Sequence, residues 1–313
     1  ETDTSAVMRS CEVFGIQEIH VIEEINTKRI DREIALGAQK WVDVLRFKSV
    51  TDCIGSLRER GYQIVATTPH KKDLKLKLES ENIYADYIQG YPSALKLKER
   101  ANVFRTEAFK MGLFEVQDAS SQLVAEFLDV KPGMKVVDTC AGAGGKTLHI
   151  ASLMENKGQI IAMDIYESKL KKLKIRARRN GVHNVDLKVL ESTKPVKKLY
   201  GKADRVLIDA PCSGLGVLRR NPDAKWKLEP EFIDKIRKTQ EDVLNRYSRM
   251  VKSGGKLVYA TCSILPSENQ NQVKTFLTSE AGQAFTLLKD QNIFAYESGF
   301  DGFYMAILEK SKN

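Results

Sequence analysis

The sequence of 313 residues contains no apolar run approaching the roughly 18 residues that a membrane span requires. A membrane protein of the helical kind is therefore not expected. Cysteine is sparse and odd in number: Cys11, Cys53, Cys140, Cys212 and Cys262 are widely scattered and never form a C-x-x-C pair. That pattern argues against a zinc cluster or a disulfide framework and predicts reduced thiols. The four histidines, His20, His70, His149 and His183, never fall at metal-ligand spacing, so no metal site is expected. Internal repeats and low-complexity tracts are missing too. The first ten residues, ETDTSAVMRS, have neither the basic start nor the apolar stretch of a secretory signal, and they lack an initiator methionine. A trimmed or processed edge and a cytoplasmic location are the corresponding expectations.

What is present is the composition of a soluble globular protein, 42% hydrophobic and 29% charged, with length enough for one large or two medium domains. The formal net charge of +9 is unevenly placed. Residues 1–75 hold 12 Lys/Arg against 12 Asp/Glu, and residues 76–313 hold 38 against 29. A basic surplus confined to one region suits a polyanionic partner, because neutralised phosphates release counterions.

Residues 1–75 alternate between helical and strand patterns: SAVMRSCEVFG has helical spacing, whereas EIHVIEE, WVDVLRF and GYQIVATT read as strands. The run HKKDLKLKLES (70–80) is charged and reads as a junction. Then GLFEVQDASSQLVAEFLDV turns helical near Asp118 or Ser120, either a good N-cap. Regular alternation follows: strand 135–140, helix from Lys146, strand 159–165, helix 167–180, strands 185–190 and 204–210, and a long helix from about Glu231 to Val251. Strand 256–262, a helix from about Glu268 and a terminal apolar pair around FTLL and GFYMAILEK complete it. In the long helix Ile233, Ile236, Val243, Leu244, Tyr247 and Val251 share one apolar face. Strand and helix in turn predict an α/β, doubly wound, mostly parallel sheet of Rossmann-like form with a smaller N-terminal α/β segment. The expected division is 1–75, a connecting and RNA-facing stretch 76–118, and the main domain 119–313.

CAGAGGKT (140–147) follows a strand and opens a helix, the setting in which glycine-rich loops approach ligands closely. It is not a P-loop, since that motif needs glycine where Cys140 stands. Its other use is contact with a nucleoside cofactor at the switch point of the sheet. Asp164, ending the next strand, is placed to accept ribose hydroxyls. Nicotinamide and S-adenosylmethionine sites share this plan.

Two thiols discriminate between them. LIDAPCSG and YATCSILPSEN each end a buried strand in a cysteine, Cys212 and Cys262, followed by loop-forming residues. Neighbouring strands lie about 4.8 Å apart, so both thiols can face one pocket. A thiolate next to a methyl donor suits cytosine chemistry: addition at carbon 6 turns carbon 5 into an enamine nucleophile, and a second group helps eject the first cysteine. Asp209 is placed to hold the exocyclic amine and ring nitrogen as charge shifts.

DAPCSGLGVLRRNPDAKW, YATCSILPSEN and VVDTCAGAGGKTLHIASLM together resemble the signature segments of the NOL/NOP/Sun family of RNA cytosine-5 methyltransferases, bacterial ribosomal-RNA type, over about residues 100–313. The resemblance implies a class I methyltransferase sheet, S-adenosyl-L-methionine as cofactor and RNA, in particular rRNA, as partner. It implies that Cys262 attacks and Cys212 aids release. Cofactor contacts are expected from Cys140, Ala141, Gly142, Ala143, Gly144, Gly145, Lys146, Asp164 and Asp209, and from Glu191, where the family usually carries aspartate. Arg219, Arg220, Lys225 and Trp226 in LRRNPDAKWK combine cations with an aromatic, as flipped-base RNA recognition does.

TSAVMRSCEVFGIQEIHVIE with RIDREIALGAQKWV is similar to the first motif of SpoU-type (SPOUT) RNA ribose 2'-O-methyltransferases. Arg9 stands at that family's catalytic arginine and Asp3 where asparagine is usual. The preceding strand and the two later knot motifs are missing, so the segment reads as half an enzyme, an RNA-facing appendage or filler. The alternatives carried forward are a SPOUT-type ribose methyltransferase and a non-catalytic RNA-binding or assembly factor.

Overall fold

Short β-branched segments separated by amphipathic helices bury best as parallel strands covered on both faces, and the computed structural model has that arrangement. It describes residues 18–22, 43–47, 65–67 and 71–312. The chain divides into two compact units, residues 1–63 with 220–227, and residues 64–219 with 228–313. In the first unit, β1 (Glu18–Ile22) pairs in parallel with β2 (Asp43–Phe47), Glu18 level with Asp43. Asp3 and Arg9 lie outside the described residues.

The second unit opens with β3 (Val65–Thr67), α1 (Lys71–Ser80), β4 (Ala85–Tyr87), β5 (Ala94–Leu97), α2 (Glu107–Lys110) and β6 (Glu115–Val116). Its strands form an antiparallel sheet in the order β4-β5-β3-β6. Residues 71–80, read from sequence as a junction, are a helix integrated into this layer. Leu74 and Leu78, one turn apart, are buried with Leu95, Leu97, Val103 and Phe114. Charged residues at most other positions obscured a two-leucine stripe that is enough to dock a short helix.

Asp118 caps α3 (Ala119–Phe127), its carboxylate accepting the Ser120 N–H at 2.9 Å. The main sheet then runs β7 (Lys135–Asp138), α4 (Gly145–Leu153), β8 (Gln159–Asp164), α5 (Glu167–Arg179), β9 (Val185–Val189), α6 (Lys194–Lys197) and β10 (Ala203–Asp209). It continues with α7 (Pro230–Tyr247), β11 (Val251–Thr261), α8 (Gln270–Thr278), β12 (Phe285–Ile293), α9 (Ala295–Ser298) and β13 (Phe303–Lys310). The order is β12-β13-β11-β10-β7-β8-β9, parallel from β11 through β9, with β13 and β12 antiparallel at one edge. The doubly wound expectation holds.

Each central strand feeds both faces. Val137, Val206, Ile208, Leu257 and Tyr259 bury on one side with Val243 and Leu244 of α7, while Val136, Leu207, Val258 and Ala260 bury on the other with Val124, Leu128 and Ile150. The long helix is shorter than expected: it ends at Tyr247, a tighter turn covers Ser248–Met250, and Val251 begins β11. Within it Ile233 and Ile236 are only half-buried. No helix among the described residues is long and apolar enough to cross a membrane.

The chain leaves β7 outward to β8 and β9, then returns to the other side with β10 and β11. The strand order reverses between β7 and β10, and their carboxyl ends open a crevice there.

Candidate active site at the carboxyl edge of the sheet

The glycine loop bridges β7 and α4. Gly142 and Gly144 have φ of +56° and +90°, a backbone region that L side chains rarely adopt, and a Cβ on Gly144 would lie 2.4 Å from Leu173 Cγ. The loop is fixed from two sides. Asp164 accepts the Gly142 N–H at 2.9 Å and the Tyr166 N–H at 2.8 Å, one on each oxygen. Arg176 of α5 donates to the Ala143 carbonyl at 2.7 Å. Each Asp164 oxygen keeps a second lone pair, so the bidentate acceptor inferred from sequence is pre-oriented, not consumed.

A cavity of about 640 Å³ lies over this loop. Its lining includes Cys140, Ala141, Gly142, Ala143, Gly145, Lys146, Asp164 and Asp209, together with Ile165, Tyr166, Leu190 and Pro211. Gly144 shapes the loop from behind without lining it. Glu191 is exposed and does not line the cavity; its neighbour Leu190 does. Asp138, deep in the wall, accepts the Thr147 hydroxyl at 2.7 Å on one oxygen, and its other oxygen has no hydrogen-bond partner. Burial raises its carboxyl to about 7 against the Thr147 hydrogen bond, with help from the Asp209 charge. Burial likewise raises Cys140 to about 12, so this thiol is inert.

The Cys212 and Cys262 sulfurs face each other at 3.4 Å beyond the Asp209–Pro211 rim, and both are partly accessible. They are not themselves among the cavity-lining residues; Lys146 links the two places. Its ammonium donates to Asp209 at 2.7 Å and its charge reaches Cys262. Burial would lower the Lys146 pKa, but the Asp209 charge and hydrogen bond outweigh it and hold the group above its ordinary value. The sequence reading placed Lys146 with the cofactor loop; it lines that cavity, and its ammonium also reaches Asp209 and Cys262.

The two thiols are driven apart in acidity. The hydrogen bond from Cys212 leads in holding Cys262 below an ordinary thiol; burial and the Asp209 and Asp301 charges oppose it, and Lys146 assists. The same bond, burial and the charge on Cys262 push Cys212 well up. Of the coupled pair, Cys262 is thus the more acidic sulfur and Cys212 the less acidic one.

Sequence reasoning missed the buried group behind the pair. Glu268, fully buried, accepts the hydroxyls of Ser213 and Ser263 and the side-chain amide of Gln240. The Cys-Ser dipeptide in both cysteine motifs was the available signal. Of the proposed RNA contacts, Arg219 belongs to the larger unit and is exposed, while Arg220, Lys225 and Trp226 belong to the smaller one. Trp226 is exposed, with the Lys225 ammonium 4.7 Å from its ring centroid.

Comparison with known proteins adds lineage to this geometry. Residues 125–309 match the family described as 16S rRNA methyltransferase RsmB/F, and residues 2–93 match the SpoU rRNA Methylase family. Similar curated proteins include a probable ribosomal RNA small subunit methyltransferase B of Synechocystis, 37% identical over 74% of this chain and 55% of its own length. The Yersinia enterocolitica ribosomal RNA small subunit methyltransferase B is 39% identical over 74% of this chain and 55% of its own. This chain therefore spans little more than half the length of those relatives. Among solved structures, PH0851 covers 92% of this chain and 70% of its own at 28% identity and a TM-score of 0.74. NSun6 from Pyrococcus horikoshii with SFG covers 71% of this chain and 60% of its own at 30% identity and a TM-score of 0.62.

Proposed function

We propose, for a chain that belongs to the 16S rRNA methyltransferase RsmB/F family, S-adenosylmethionine-dependent methylation of carbon 5 of a cytosine in ribosomal RNA, through a covalent adduct on Cys262. The observation that carries this reading is the thiol pair, 3.4 Å apart, with Cys262 held below an ordinary thiol by the Cys212 hydrogen bond and the Lys146–Asp209 ion pair alongside.

The cavity fits the cofactor. Asp164 offers two open lone pairs to ribose hydroxyls, and Ile165, Tyr166 and Leu190 offer apolar walls to a base. When bound, S-adenosylmethionine supplies an electrophilic sulfonium methyl. Glu191 has no part in this wall.

The Cys262 thiolate attacks carbon 6 of the cytosine, and Asp209 with Lys146 holds the ring as negative charge moves into it. Carbon 5 then takes the methyl group using the electron pair of the enamine. Once Cys262 is a neutral thioether, the charge and hydrogen bond that held the Cys212 pKa up are gone. Cys212 can then release its own proton to solvent and take the carbon 5 proton; the C–H electrons restore the ring double bond and expel Cys262 as thiolate. One geometry thereby serves two steps in fixed order.

The decisive experiment is adduct trapping. Cys212→Ala incubated with rRNA and cofactor should leave a protein–RNA band on denaturing gels, and Cys262→Ala should leave none; the opposite pattern exchanges the two roles. Mapping of 5-methylcytosine in the exposed RNA identifies the product.

The SpoU-like match over residues 2–93 supports a subsidiary reading in which the N-terminal segment is an RNA-facing appendage; Arg219, Arg220, Lys225 and Trp226 are the RNA contacts proposed from the LRRNPDAKWK run. Placement in the cytoplasm accords with an rRNA substrate.

A further inference from the structure

The last residue pairs of β10 and β11 set Asp209 level with Ala260. Continued without interruption, that register would put Pro211 level with Cys262, leaving Cys212 one residue out of step. A one-residue offset sends side chains to opposite faces of a sheet. The strands alone would therefore keep the two sulfurs apart, yet they sit at 3.4 Å. Something beyond the ladder corrects the offset.

The groups that do so converge on one carboxylate. Glu268 follows the second cysteine motif and is completely buried. Its Oε1 accepts the Ser213 hydroxyl at 2.5 Å and the Ser263 hydroxyl at 2.6 Å, and those hydroxyls are 3.1 Å from each other. Its Oε2 accepts the Ser213 backbone N–H at 2.8 Å and Gln240 Nε2 at 2.9 Å. Gln240 also donates to the Pro211 carbonyl at 3.0 Å, and the Gly216 N–H donates to the Cys262 carbonyl at 2.8 Å. Four hydrogen bonds fill the acceptor capacity of a carboxylate, the condition under which a buried charge is tolerated. Ser213 and Ser263 are the residues immediately after Cys212 and Cys262.

We infer that Glu268 is a positioning residue that sets the spacing of the two thiols by clamping the serine that follows each cysteine. It touches neither thiol; it acts on both loops at once. The role deepens the covalent mechanism proposed above and rests on that reading for its purpose, but its geometry can be tested without RNA, cofactor or turnover. A carboxylate suits the position because it is acceptor-only: two hydroxyls, a backbone N–H and an amide can all donate to it without any group having to reverse.

The readout is the pH dependence of Cys262 alkylation by iodoacetamide in the full chain, resolved from the other cysteines by peptide mass spectrometry. Cys262 is faced by Cys212 and Asp209 on the β10 side, Lys146 from α4 and Asp301 ahead of β13, and Cys212 additionally by Glu268. Of these, the Cys212 contact leads in setting the Cys262 midpoint, and it is the one that spans the two clamped loops. Glu268→Ala should move the Cys262 midpoint upward, toward that of Cys212→Ala, while calorimetric affinity for S-adenosylmethionine stays within twofold of the parent. Glu268→Gln keeps an acceptor for Ser213 N–H and Gln240 and can donate to the two hydroxyls, so it should restore most of the parent midpoint. Should Glu268→Ala fail to fold, the double variant Ser213→Ala, Ser263→Ala removes the hydroxyl links to Glu268, together with the Leu215 and Leu265 N–H bonds to those hydroxyls, and should show the same upward shift. A folded Glu268→Ala, or a folded double variant, with an unmoved midpoint overturns the inference. So does a Glu268→Gln as shifted as Glu268→Ala. A shifted midpoint with methyl transfer unchanged would leave the inference standing and count instead against the covalent mechanism.

Discussion

Asp138 offers a stability measurement that checks the electrostatics of the site directly. Its carboxyl is 1% exposed and raised from an ordinary 3.8 to about 7, chiefly by burial. In the unfolded chain the group loses its proton near the ordinary value, whereas the folded protein retains it to about 7. Folding is therefore favoured by this group at low pH, and the contribution is lost as pH rises toward 7 and is gone above it. At about 1.4 kcal/mol per pH unit, the interval corresponds to roughly 4 kcal/mol, of which roughly 3 kcal/mol falls between pH 5 and 7. Asp138→Asn keeps the size and a carbonyl oxygen for the Thr147 hydroxyl but cannot titrate. Urea unfolding of both proteins without cofactor, from pH 5 to 8, isolates the term, because every other group titrates in both. The stability of the parent relative to the variant should decline by that amount across the interval and level off above pH 7. A difference that stays flat would refute the reasoning, and one that rises would reverse its sign.

Two further outcomes follow from close contacts. Gly216→Ala would place a Cβ 2.1 Å from the Gly302 carbonyl oxygen and 2.8 Å from that of Cys262, both backbone atoms that cannot swing away. It should cost about 3 kcal/mol in urea unfolding and disturb Cys262 reactivity, as overpacking of a tight site does; an unchanged urea midpoint would show that the loop yields freely. Lys146→Met should leave the largely buried Asp209 unpaired, at a cost of about 3 kcal/mol, and slow Cys262 alkylation at neutral pH. Equal alkylation rates in the two proteins would remove Lys146 from the reacting group.

Much of the fold was legible because its signals are local. The alternation of β-branched runs with helical stripes, the glycine-rich turn after β7, the acid ending β8 and the cap at Asp118 depend only on period and turn chemistry. Local signals also misled. In α1 the lysines outweighed Leu74 and Leu78, and a docked helix read as a junction. Glu191 looked suited to the cofactor by its place after β9, but the wall is made by Leu190. A one-residue difference in which side chain turns inward is invisible to a pattern.

The sequence by itself determined that two thiols end two buried strands, that a glycine loop precedes them, and that the strands alternate with helices in a doubly wound order. Only the tertiary structure decided that those sulfurs meet. The β10–β11 register would separate them, and contact is restored by a carboxylate five residues beyond Ser263 reaching a serine 55 residues away. Periodicity fixes which face a residue presents to its own neighbours, whereas the offset between two loops is fixed by hydrogen bonds across the chain that no local pattern encodes.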